Sequence, residues 1–125
     1  MSPSLEPAPP AAGPIVQRLT AAGFSIDGTA YAAVLLTPER AFAWSPSALA
    51  DLAPDDFEPL LAFAPQLEFI LLGTGPTMRF AQAGLIDGLA ARGFAVEAMD
   101  SRAAARTWGV LRGEGRWIGA ALMPL

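Results

Sequence analysis

Apolar positions along the second half of the chain follow two periods in alternation. Leu67-Glu68-Phe69-Ile70-Leu71-Leu72 is nearly continuous in apolar residues, the pattern of a β-strand covered on both faces. Phe94 to Met99 reads as a second strand, and Trp117-Ile118-Gly119-Ala120-Ala121-Leu122 as a last buried one. Between the first two, Gln82 to Arg92 carries apolar residues at positions 85, 86 and 89, a helical spacing, and Gly93 stands where a helix C-cap belongs. The spacing therefore predicts a strand, crossover helix, strand unit, which is right-handed with parallel strands in nearly all folds. A further Ala-rich helix is predicted over residues 102–112, broken by Gly113.

The first half is patterned differently. Phe24-Ser25-Ile26 and Ala30-Tyr31-Ala32-Ala33-Val34-Leu35-Leu36 flank Asp27-Gly28, a dipeptide suited to the positive φ values of a type I′ turn, so a β-hairpin is expected. Ala41-Phe42-Ala43-Trp44 is a strand ended by Ser45-Pro46. Pro54 to Phe63 reads as a short helix, because prolines in a first turn lack only N–H groups that would be unpaired anyway, and Pro65 closes it. Residues 1–14, with prolines at 3, 7, 9, 10 and 14, read as a disordered tail. These elements predict a single α/β domain over residues 15–125, with two to three helices.

Composition narrows the chemistry. With 53% hydrophobic and 16% charged residues the chain is that of a packed core. It has no Cys, His or Lys, so it lacks a thiol nucleophile, a thiolate or imidazole metal site and the usual general bases. Asp51, Asp55, Asp56 and Glu58 lack EF-hand spacing and read as a dipole-favoured helix start. No metal or cofactor is expected. The net charge is −4 and the eight arginines are scattered, which argues against nucleic-acid binding. The first residues form neither a secretory signal nor a transit peptide, and no apolar run reaches the roughly 18 residues of a membrane span. A cytoplasmic location follows as an expectation.

One juxtaposition offers a candidate site. If the strands ending at Leu72 and Met99 are parallel neighbours, Gly73-Thr74-Gly75 lies beside Asp100-Ser101-Arg102 at the sheet edge that ligands favour in open α/β folds. The glycines would admit a ligand to backbone N–H groups, Thr74 and Ser101 offer hydroxyls, and Arg102 or Arg106 could supply charge for a small anion. The other reading makes Gly73-Thr74-Gly75 a tight turn, Ser101 a helix cap and the two arginines a solvated face. A dinucleotide fingerprint is absent, because Gly73-Thr74-Gly75-Pro76-Thr77-Met78 lacks the third glycine. No histidine or lysine stands ready to take a proton from either hydroxyl, and Met99, Trp108 and Trp117 read as core.

An ordered set of residues resembles a known family. Phe24-Ser25-Ile26-Asp27-Gly28, Trp44, Leu72-Gly73-Thr74-Gly75, Met99-Asp100-Ser101 leading to Ala104-Ala105-Arg106-Thr107-Trp108, and Glu114-Gly115-Arg116 are similar to the small proteins related to NADH:ubiquinone oxidoreductase complex assembly factor 3. The likeness spans roughly residues 15 to 124. The family pattern usually has Thr at Ser101, Cys at Ala105, Tyr at Trp108 and Asn at Gly109, so this chain departs at four places. The resemblance implies a three-layer α/β fold around a mixed sheet and no established catalytic residues. Its mitochondrial members assist assembly of respiratory complex I. The expected function is a non-catalytic protein-binding or assembly module with respiratory or membrane-biogenesis partners, peripheral to the inner membrane. The rival expectation is a binder of, or enzyme on, a small anionic metabolite at Gly73, Thr74, Gly75, Asp100, Ser101, Arg102 and Arg106.

Overall fold

Strand residues divide their side chains between two cores, one on each face of a central sheet. A computed structural model describes residues 13–125; residues 1–12, which hold most of the expected tail, lie outside the described residues. The central sheet comprises β4 (Val34–Leu36), β5 (Ala41–Ala43), β6 (Phe69–Gly73), β7 (Ala95–Met99) and β8 (Gly119–Leu122), in the order β5-β4-β8-β6-β7. β6 runs parallel to both β7 and β8, whereas β4 is antiparallel to β5 and β8. The sheet is therefore mixed, and the register sets Gly73 opposite Met99.

The alternation of side chains builds three layers. Leu35, Ile70, Leu72 and Ala121 point to one face and pack with Leu49, Leu52, Phe57, Leu60, Leu85 and Leu89. Val34, Leu36, Leu71, Ala120 and Leu122 point to the other and pack with Phe24, Ile26, Ala104, Ala105 and Trp108. The first face is covered by α1 (Glu58–Leu61), the 3₁₀ turn Pro54–Phe57 before it, and α2 (Ala83–Ala91). The second face is covered by α3 (Ser101–Gly113) and by a three-stranded antiparallel sheet of β1 (Val16–Thr20), β2 (Gly23–Ile26) and β3 (Thr29–Tyr31), in that order.

Local chemistry explains the element ends. Asp27 and Gly28 have φ values of 50° and 81°, the two positive angles of a type I′ turn, and they join β2 to β3. The second apolar run of the expected hairpin does not stay one strand. It splits after Tyr31 because β3 lies largely exposed in the small sheet, while Val34, Leu35 and Leu36 are covered on both faces in the large one. β1, which pairs with β2, has little alternation to announce it.

Both long helices end in the same way. Gly93 (φ 93°) donates to the Ala90 carbonyl and Phe94 to that of Leu89 at 2.9 Å each, closing α2 in a Schellman turn. α3 does likewise at Gly115 (φ 78°), with Gly115 to Arg112 and Arg116 to Leu111. Gly113 thus lies inside α3, and Gly115 ends it. The expected helix over Pro54–Phe63 is a 3₁₀ turn passing into the short α1, since Pro59, in the second turn of a helix begun at Pro54, has no N–H to give the Asp55 carbonyl.

Candidate functional site

β6 leads into α2 on one face and β7 leads into α3 on the other, so the two chains part at the carboxyl ends of adjacent parallel strands. Such a divergence is where an open α/β sheet forms a crevice. Gly73, Thr74 and Gly75 do stand beside Asp100 and Ser101 there, and the structure joins them directly by hydrogen bonds.

Ser101 is wholly buried. Its hydroxyl donates to the Met123 carbonyl at 2.7 Å and accepts from the Gly75 N–H at 2.9 Å, while its own N–H donates to the Gly75 carbonyl at 2.8 Å. Three chain segments, those after β6, β7 and β8, thereby meet on one side chain. Close approach is possible because position 73 is glycine: a Cβ there would lie 2.9 Å from the Ser101 Cα and 2.8 Å from its Oγ. The Met123 N–H completes the junction with a 3.0 Å bond to the Gly73 carbonyl.

Thr74 forms a second knot. Its N–H donates to the Met99 carbonyl at 2.8 Å, and its hydroxyl donates to the Thr77 carbonyl at 2.8 Å while accepting from the Arg79 N–H at 3.0 Å. The side chain thus shapes the loop after β6. The cap of α3 is Asp100 rather than Ser101: an Asp100 carboxylate oxygen accepts from the Ala103 N–H at 2.9 Å. With the Ser101 N–H bonded to Gly75 and that of Ala104 to the Asp100 carbonyl, little of the helix start is left for an outside anion.

Arg102 and Arg106 are brought to the same helix but not into the junction; both are exposed on the outer side of α3. Opposite them, Ala104, Ala105 and Trp108 are buried, and the Trp108 indole N–H donates to the Pro14 carbonyl at 3.0 Å. Pro14 is itself buried. No pocket opens among the described residues, and no cluster of acidic residues among them could hold a metal ion. Sequence reasoning missed the Met123 carbonyl and the loop residues Thr77 and Arg79, because backbone partners carry no residue-type signal. It also passed over Met78 and Phe80, whose apolar character inside a turn-rich stretch was the available cue.

Comparison with known proteins fits this architecture. The chain is 30% identical over 114 residues to NADH dehydrogenase [ubiquinone] 1 alpha subcomplex assembly factor 3 of Danio rerio, covering 90% of this chain and 66% of that protein. It is 32% identical over 103 residues to the Homo sapiens protein of the same name, covering 82% and 56%. The chain thus spans between 56% and 66% of the length of these two relatives. A crystal structure of a Bordetella parapertussis protein superimposes with a TM-score of 0.80 at 30% identity, covering 95% of this chain and 100% of that one. No helix among the described residues is long and apolar enough to cross a membrane. A family model matches residues 16–123, and by that match the chain belongs to the family described as a protein of unknown function, DUF498/DUF598.

Proposed function

We propose that this chain is a non-catalytic assembly-factor-like protein that binds protein partners during the building of a respiratory or other membrane complex, peripheral to the inner membrane. The observation that carries the reading is the similarity to named complex I assembly factors along 82–90% of this chain. The chemistry of the chain supports it. Cys, His and Lys are absent, and the Thr74 and Ser101 hydroxyls, the best nucleophiles at the sheet edge, are bonded to backbone groups. In this reading Gly73, Thr74, Gly75, Asp100 and Ser101 form a latch that fixes the loop after β6 against α3. Arg102 and Arg106 then belong to an outer surface.

Native co-purification of the full chain, expressed from its own promoter with a small affinity tag, tests this. Enrichment of a respiratory or membrane-biogenesis protein over an untagged control is expected. Recovery of the chain alone would remove the reading.

A further inference from the structure

The loop after β6 holds large apolar side chains in solvent. Phe80 is 87% exposed and Met78 is 46% exposed, with Arg79 between them. The loop is pinned on both sides of Phe80. The Arg79 N–H is bonded to Thr74, Ala81 packs on the first core, and the Gln82 side-chain amide donates to the Leu52 carbonyl at 3.2 Å. With its two neighbours fixed, Phe80 is kept outward by the fold.

The same end of the sheet carries arginines that form no ion pair. Among the described residues the ion pairs belong to Arg92, with Asp55 and Glu58, and to Arg116, with Glu68. Arg79, Arg102 and Arg106 make none. From Phe69 to Ile86 there is no carboxylate, and from Ser101 to Gly113 again none. Asp100, between these stretches, is engaged at the helix cap, and Glu97 lies further back along β7. A basic, apolar-tipped edge on a chain of net charge −4 is complementary to a segment with the opposite charge and apolar side chains of its own.

We propose that Met78, Arg79 and Phe80, with Arg102 in the first turn of α3, whose neighbour Ser101 is bonded to Gly75 of the same loop, form the docking surface for an acidic segment of a partner protein that also carries apolar anchors. Phe80 supplies the aromatic anchor and the arginines the orienting charge. A protein segment is chosen over an anionic bilayer because the reading above is one of protein binding, and the bilayer is an outcome of the test. This inference rests on the protein-binding reading above and names its surface.

Site-specific photocrosslinking in living cells tests it. Benzoylphenylalanine replaces Phe80 in the full chain, with a second probe at Arg18 on the three-stranded sheet as reference. The expected result is a Phe80-dependent adduct with a different protein, mapped by mass spectrometry to a segment holding both carboxylates and large apolar residues. Arg79→Glu with Arg102→Glu should lower its yield about tenfold while leaving the melting temperature unchanged. An adduct with lipid, with a second copy of this chain or with a segment lacking carboxylates overturns the proposal, as does a yield insensitive to the charge reversals. Capture from Arg18 but not Phe80 overturns the surface and leaves protein binding standing. Capture from neither, together with empty co-purification, overturns both.

Discussion

Replacing Ser101 with alanine tests the latch at its centre. The hydroxyl makes two buried bonds, to the Met123 carbonyl at 2.7 Å and from the Gly75 N–H at 2.9 Å, and the residue is shut away from water. A buried group that loses its partner costs about 1–3 kcal/mol, and the serine leaves two such groups behind. A loss of about 2–6 kcal/mol follows. At about 4 °C per kcal/mol for a domain near this size, the melting temperature should fall by roughly 8–24 °C. Far-UV circular dichroism melts and urea titrations of Ser101→Ala against the unaltered chain measure it, and the urea slope should stay constant because the same surface unfolds. A change of less than about 0.5 kcal/mol, the range of ordinary surface substitutions, would show that the junction is open to water and would return it to candidacy as a ligand crevice.

Other substitutions probe separate parts of the argument. Gly73→Ala sets a Cβ 2.9 Å from the Ser101 Cα, a backbone atom with nowhere to retreat; a loss of about 1–3 kcal/mol is expected in urea titrations, and a neutral result would refute the close packing. Gly109→Ala should do the opposite, since an added Cβ meets nothing within 4 Å in the interior of α3; a gain of about 0.5–1 kcal/mol is expected, and a loss would count against the helix assignment. Glu68 accepts from the Trp117 N–H at 2.8 Å and from the Arg116 guanidinium at 3.1 Å, and these bonds hold its carboxyl below the ordinary value of 4.5. A lowered folded-state value means that the stabilisation is complete above the unfolded value and is lost as pH falls through the folded one. The unaltered chain should therefore lose melting temperature more steeply than Glu68→Gln as the pH falls below 4.5; parallel profiles would remove Glu68 from the account.

Sequence pattern conveyed the second half of the fold well because its elements are governed by local rules. The apolar run at Leu67–Leu72, the helical spacing up to Gly93 and the positive-φ turn at Asp27-Gly28 each carry their signal within a few residues. The split of Ala30–Leu36 into β3 and β4 was hidden, since the choice of sheet depends on β8, more than eighty residues further on. β1 was hidden too, for it is largely exposed and held chiefly by pairing with β2. At the candidate site the residue types were legible and their roles were not. Ser101 has the composition of a cap, yet Asp100 fills that place, and the serine turns inward to a carbonyl that no motif encodes. The exposure of Phe80 depends on bonds from Thr74 and Gln82 that arise only once β6 and α2 are placed.

The central claim is that this chain serves the assembly of a membrane complex, and the level of assembled respiratory NADH dehydrogenase tests it most directly. Membranes from cells deleted for the gene, with and without a plasmid copy, are resolved on native gels and stained for NADH dehydrogenase activity. The account predicts a reduced amount of the full-size complex in the deletion and its return with the plasmid copy. An unchanged amount in the deletion strain would contradict a role in assembling this complex.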